Sequence, residues 1–240
     1  MSQTPILLFD FDGVIITHKA LEYAALIYSR KKFFRWRNLD NLRLIDFARL
    51  FEESDSKNRL KAIFQAYKAY ASYIPSRWRR IIFFIKFRRF YPKYEIYEVI
   101  EPNLHKILPI LKSAQLSLGI VSNTSKKRLT DFREKLNLDD FFSVFISRDD
   151  TLYRKPNPYP VYLALNKLKK EYHVKIRKDQ IYFVGDLPSD IQTAKNANIK
   201  SIAVLSGHGR KKDLEKARPT IILKDLSYLL DFEPIQKFLL

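Results

Sequence analysis

Four short motifs place carboxylates, a hydroxyl and a lysine just beyond apolar runs. Asp10-Phe11-Asp12-Gly13 follows residues 6–9, and Ser122-Asn123 follows 116–121. Lys155 lies in RKPNP beyond 141–146, and Gly185-Asp186-Leu187-Pro188-Ser189-Asp190 follows 181–184. Two carboxylates at i and i+2 past a strand end face one site if the chain turns there. Together these groups supply what phosphoryl transfer through an aspartate needs. One carboxylate attacks phosphorus and forms an acyl phosphate. A second gives a proton to the leaving oxygen and then takes one from the attacking water. The substrate dianion and the carboxylates repel, so a divalent cation must screen them. Mg²⁺ prefers oxygen ligands, and Asp10 and Asp186 are natural direct ones. A lysine and a hydroxyl hold the non-bridging oxygens as charge moves. Each motif also has a plainer reading: a strand-end turn for Asp10 and Asp12, helix caps for Ser122 and Asp190, and a solvated cation for Lys155.

The elements that must position these groups read as α/β. Short apolar runs at 6–9, 116–121, 141–146, 181–184 and 202–205 predict buried strands. Helices are expected over 126–136, over 158–170 with Val161, Leu165 and Leu168 on one face, and over 189–197. Strands alternating with helices argue a parallel sheet covered on both faces. In such sheets ligands gather at the carboxyl ends of the strands. The middle of the chain differs. Leu44, Phe47, Ala48 and Phe51, then Leu60, Ile63, Phe64, Tyr67, Tyr70, Ala71 and Ile74, recur at helical spacing. After Pro75, so do Trp78, Ile81, Ile82 and Ile85. The expected division is a core of residues 1–17 and 99–240 with a helical module, 18–98, inserted after the first strand. Glu101-Pro102 marks the return to the core.

Composition bounds the function. The chain has 240 residues, of which 46% are hydrophobic, enough for a sizeable core and too many for a disordered or fibrous protein. With no cysteine, a disulfide scaffold, a thiolate nucleophile and a Cys-based metal site are excluded. No apolar run approaches a membrane span, no secretory signal stands out, and a cytoplasmic protein is expected. The formal net charge of +18 favours anionic partners, namely phosphorylated metabolites, nucleic acid or an acidic membrane surface. Residues 18–95 carry 19 Lys+Arg against 7 Asp+Glu, so the inserted module holds most of that excess. Its most unusual stretch, RWRRIIFFIKFRRFYPKY at 77–94, admits three readings: a helix packed on its neighbours, a membrane-surface helix, or a nucleic-acid or partner contact.

The four motifs, in this order, resemble those of the haloacid dehalogenase (HAD) superfamily of hydrolases: DFDGV, VSN, the lysine of RKPNP, and GDLPSD. The resemblance implies a Rossmann-like parallel sheet of order 5-4-1-2-3 with the helical insert as a C1-type cap. It implies Asp10 as nucleophile and Mg²⁺ ligand, and Asp12 as general acid/base whose backbone carbonyl also touches the metal. Ser122 and Lys155 would bind the phosphoryl group, with Gly13 and the Asn123 backbone N–H assisting. Asp186 would bind Mg²⁺ directly, and Asp190 would act through water or by orienting Lys155. In the family an acid at the Asp12 position goes with phosphatases and phosphomutases. The motif style is similar to phosphoglycolate phosphatase, which makes a small phosphate monoester such as 2-phosphoglycolate the expected substrate. A β-phosphoglucomutase-like mutase shares the motifs, and a HAD-fold protein whose basic cap binds nucleic acid, acidic lipid or a protein is the other alternative. The sequence departs from the phosphoglycolate phosphatase pattern at Ile16-Thr17-His18-Lys19 and at Leu187-Pro188. His18 and Arg154 each have two readings, contact with an anionic substrate or the commoner structural or solvated place, and His208, in GHGRKK, is expected on a surface loop.

Overall fold

The structure is a computed structural model that describes residues 4–16, 76–79, 81, 82, 85 and 103–239. The chain divides into two compact units, Met1–Thr17 with Ile100–Leu240, and His18–Val99. The helical stripes expected at 44–74, and His18, lie outside the described residues. Within 77–94, residues 77–79, 81, 82 and 85 are helical. Trp78 and Ile85 there are 75% and 66% exposed.

The first unit is built on six parallel strands: β1 (Ile6–Phe9), β2 (Ser117–Val121), β3 (Val144–Ile146), β4 (Ile181–Gly185), β5 (Lys200–Val204) and β6 (Ile221–Leu223). Their order is β3-β2-β1-β4-β5-β6. Read from the opposite edge this is the expected 5-4-1-2-3, with a sixth strand added beside β5. The helices are α1 (Leu104–Ser113), α2 (Lys126–Lys135), α3 (Tyr159–Tyr172), α4 (Pro188–Asn196), α5 (Lys211–Ala217) and α6 (Glu233–Gln236).

Every residue of β1 is buried, as suits an apolar run without polar alternation in a sheet covered on both faces. Successive side chains point to opposite faces. Leu7 and Phe9 therefore join one apolar cluster with Leu104, Ile107, Leu108 and Leu111 of α1. Ile6 and Leu8 join another with Val161, Ala164, Leu165 and Leu168 of α3 and Ala194 of α4. The run from 141 to 146 divides. Leu138–Asp140 form a 3-10 turn, and Phe142 packs edge-on to Phe9 with ring centroids 5.7 Å apart. Phe142 thus serves the core, and only Val144–Ile146 joins the sheet.

β1 lies between β2 and β4, with Phe9 in register with Ile120 and Val184. Winding reverses at β1, and such a switch point opens a crevice beyond the carboxyl ends of the strands. Asp10, Ser122 and Asp186 are the residues immediately past β1, β2 and β4. Among the described residues no helix is long and apolar enough to cross a membrane.

Candidate active site

Asp10 is still tied to the sheet by its backbone, whose N–H donates to the Val184 carbonyl at 2.8 Å. Its buried carboxylate accepts from the Phe11 N–H at 2.7 Å and pairs with the Lys155 ammonium at 2.6 Å. Lys155 also donates to Asp190 Oδ1 at 2.7 Å and lies 5.3 Å from the Phe183 ring centroid. Asp190 is fully buried. Its second oxygen accepts from the Leu187 N–H at 3.0 Å, so the same side chain closes the start of α4 and orients Lys155.

Ser122 is buried at the end of β2, where its N–H donates to the Ile146 carbonyl at 2.9 Å. It is not the cap of α2. Ser125 takes that position and accepts from the Arg128 N–H at 3.3 Å. The Ser122 oxygen instead accepts from the Thr124 N–H at 3.1 Å, and its hydroxyl hydrogen remains a donor. Asn123 has a role in its side chain beyond the backbone N–H that the motif implies. The Lys155 N–H donates to Asn123 Oδ1 at 3.0 Å, and Asn123 Nδ2 donates to the Lys155 carbonyl at 3.3 Å. That two-point clasp ties the loop after β2 to the loop carrying the lysine. Arg154, the preceding residue, is half-buried.

Asp186 is fully buried. Its Oδ2 accepts from the His208 N–H at 2.6 Å and lies 3.0 Å from His208 Nδ1, while Oδ1 is buried without a hydrogen-bond partner. The expectation that His208 lies on a surface loop is corrected here, since the residue is 3% exposed and packs against the candidate site. Its loop folds inward because the neighbouring glycines permit close approach. A Cβ at Gly207 would run into the Asp186 carboxylate. So would one at Gly13, whose φ of +82° also favours glycine.

Carboxylate oxygens of Asp10, Asp186 and Asp190 lie within 4.8 Å of one another. Three carboxylates thus face one ammonium. Burial pushes Asp10 well above the usual carboxylate range; Lys155 opposes the rise, and Asp190 and Asp186 add to it. Burial likewise raises Asp186, with Asp190 adding and the His208 N–H opposing. Burial works to lower Lys155, but Asp10 and Asp190 outweigh it and hold the ammonium above its ordinary value. His208 does not balance the charge, because burial brings it down to about 4 against the pull of Asp12 and Asp190, leaving the imidazole neutral at pH 7. An all-oxygen donor set, an excess of negative charge and an orphaned carboxylate oxygen on Asp186 fit a small divalent cation such as Mg²⁺.

The Asp12 side chain stands apart from this cluster. It is half-buried, and its Oδ1 accepts from Nη1 of Arg128, a residue the motifs do not include.

Comparison with known proteins gives the family. The family model for haloacid dehalogenase-like hydrolases matches residues 7–204. Phosphoglycolate phosphatase of Salmonella typhimurium is 31% identical over 132 residues, 55% of this chain and 50% of that protein. The Escherichia coli enzyme of the same name is 30% identical over 129 residues, 54% and 49% of the two chains. The chain therefore spans about half the length of the curated relatives it matches. Two solved structures share the fold. One, described as a predicted phosphoglycolate phosphatase from Haemophilus somnus, has a TM-score of 0.67 at 19% identity, covering 97% of this chain and 99% of that one. The other, a haloacid dehalogenase-like family hydrolase from Streptococcus pneumoniae, has a TM-score of 0.63 at 16% identity, covering 97% and 100%. With a family match across most of its length, the chain belongs to the haloacid dehalogenase-like hydrolases.

Proposed function

We propose that the protein is a Mg²⁺-dependent phosphatase that hydrolyses a small phosphate monoester through an aspartyl phosphate, with 2-phosphoglycolate as the first candidate. The observation that carries this reading is the buried Lys155 held between Asp10 and Asp190, with the unpartnered Asp186 oxygen beside them. The names of the relatives support the substrate class. A cytoplasmic setting, where such metabolites occur, belongs to the same proposal.

Asp10, Asp186 and the Asp12 backbone carbonyl would hold Mg²⁺, which when bound screens the repulsion between the carboxylates and the phosphate. Asp10 attacks phosphorus as the ester P–O bond breaks. Asp12 gives its proton to the leaving oxygen. Lys155 and the Ser122 hydroxyl hold the non-bridging oxygens, with Gly13 after β1 and the Asn123 N–H after β2 assisting. Asp12 then takes a proton from water as that water attacks phosphorus, and the Asp10 carboxylate is released.

The test is phosphate release from a panel of phosphorylated metabolites with and without Mg²⁺. Release that requires Mg²⁺, fastest on a small monoester, is the expected result. A sugar phosphate isomerised without phosphate release would replace the phosphatase reading with the mutase one. No turnover of any member by folded protein would remove both.

One observation favours a second role. Trp78, Ile81 and Ile85 share one helix face at i, i+3 and i+7, all three are exposed, and the exposed Arg77 and Arg79 flank them. We propose that this face rests on an acidic lipid surface, where basic residues meet headgroups and the apolar stripe enters the interface. The protein is expected to co-sediment with phosphatidylserine-containing vesicles and not with phosphatidylcholine alone, and Trp78→Ser should release it. Absence of vesicle binding would overturn this proposal, and salt-sensitive retention on nucleic acid instead would redirect it to that partner.

A further inference from the structure

Asp12 must present its carboxyl to the leaving oxygen in one orientation, yet it lies outside the buried cluster, with a side chain 20% exposed. Its main chain is fixed by a β-bridge to Ile16 and by the Gly13 N–H donating to the Ile16 carbonyl at 2.8 Å. The carboxylate's placement comes from another element. Arg128, the third residue of α2, pairs through Nη1 with Asp12 Oδ1, and the same nitrogen donates to Thr124 Oγ1 at 3.2 Å. The guanidinium carbon lies 5.5 Å from the Phe11 ring centroid and 5.2 Å from that of Phe132. Those two rings are buried and meet edge-on at 5.7 Å. The guanidinium is thus seated on a floor of core aromatics and braced by Thr124, so the fold, and not Asp12 alone, sets where it sits.

We infer that Arg128 is a positioning residue that holds the Asp12 carboxyl for proton exchange with the leaving oxygen. The inference rests on the phosphatase reading. In the first half-reaction the P–O bond to the leaving group breaks, a P–O bond to Asp10 forms, and the proton passes from Asp12 to the ester oxygen. The carboxylate created there faces a fixed guanidinium, which stabilises it as it forms. In the second half, water gives its proton back to Asp12 as its oxygen bonds to phosphorus and the bond to Asp10 breaks. A planar fork fixes orientation as well as charge, which an ammonium does not.

The discriminating readout is dependence on the leaving group. An alkoxide needs a proton to depart, and p-nitrophenolate needs it far less. Since kcat/KM reports only steps through leaving-group departure, the second half-reaction does not obscure the comparison. For Arg128→Met, kcat/KM on 2-phosphoglycolate should fall roughly 10- to 100-fold, and on p-nitrophenyl phosphate by about 3-fold or less. In an Asp12→Asn background the same substitution should have little further effect, because the two residues act as a unit. Equal losses on both esters, or a full loss persisting with Asn at position 12, would overturn the inference. Should Arg128→Met fail to fold, Arg128→Lys keeps the charge and the stem over the rings, and must show the same selectivity for the inference to stand. If wild-type protein with Mg²⁺ turns over neither ester, or Asp10→Asn leaves turnover intact, the phosphatase reading has failed and the inference falls with it. That result is visible before Arg128 is changed.

Discussion

Asp10→Asn is expected to abolish phosphate release while leaving the metal-free fold at least as stable as wild type. An amide oxygen does not attack phosphorus to give an acyl phosphate, so the loss should be roughly 10⁴-fold or more. Stability follows from the charge balance of the cluster. Burial holds Asp10 above its ordinary range, with Asp190 and Asp186 adding and Lys155 opposing. A carboxyl raised on folding contributes stability that is fully present below its unfolded value and is lost as pH rises through the folded one. Asparagine resembles the neutral carboxyl and removes that loss. It also keeps an oxygen for the Phe11 N–H and the Lys155 ammonium, now 2.7 and 2.6 Å from Asp10. Thermal unfolding of the metal-free proteins at pH 8 should therefore show Asn equal to or above wild type, and Mg²⁺ should raise the wild-type midpoint more. Phosphate release within about tenfold of wild type would remove Asp10 as nucleophile.

How much of the fold and site is legible in the sequence depends on range. β1 is readable because a central parallel strand is apolar throughout, and the period-2 packing of Ile6 to Phe9 follows from that alone. The residues past β1, β2 and β4 converge because parallel strands put their carboxyl ends together, so motif order and strand spacing suffice to group Asp10, Ser122 and Asp186. β6 has three residues, too few for a periodicity to emerge. Helix α1 carries an i, i+3, i+4, i+7 pattern at Leu104, Ile107, Leu108 and Leu111, but Pro109 within it interrupts the usual signal. His208 and Arg128 escape for a different reason. A histidine between two glycines looks like a loop, and an arginine after two lysines looks solvated. Each meets a carboxylate of the candidate site that lies 22 or 116 residues away in the chain. The Gly207-His208-Gly209 spacing is the available signal for the first, since glycines on both sides permit a close backbone approach. Nothing local announces the second.

Lys155→Met should lower stability by about 3–5 kcal/mol at neutral pH, the usual penalty for stranding buried charges. In a protein of this size that is a midpoint shift on the order of 10 °C. Methionine is the informative replacement because it keeps an apolar stem beside Phe183, whose ring centroid is 5.3 Å from the ammonium. The loss then reports charge more than volume. Asp10 and Asp190 lose partners at 2.6 and 2.7 Å, and neither opens to solvent. The sign with pH is determined. Asp10 and Asp190 hold Lys155 above its unfolded value of 10.5, against burial, so its contribution is fully present below that value and is all at stake at pH 7. In the variant, the raised carboxyls Asp10 and Asp186 take up protons as pH falls and relieve one another's repulsion. The deficit against wild type should therefore shrink from pH 8 to pH 5. At pH 8 Mg²⁺ should shrink it as well, because a divalent cation supplies positive charge to the same three carboxylates. A deficit that is equal at both pH values and indifferent to Mg²⁺ would mean that Lys155 acts through packing, and that Asp10, Asp186 and Asp190 are not a charge-coupled cluster.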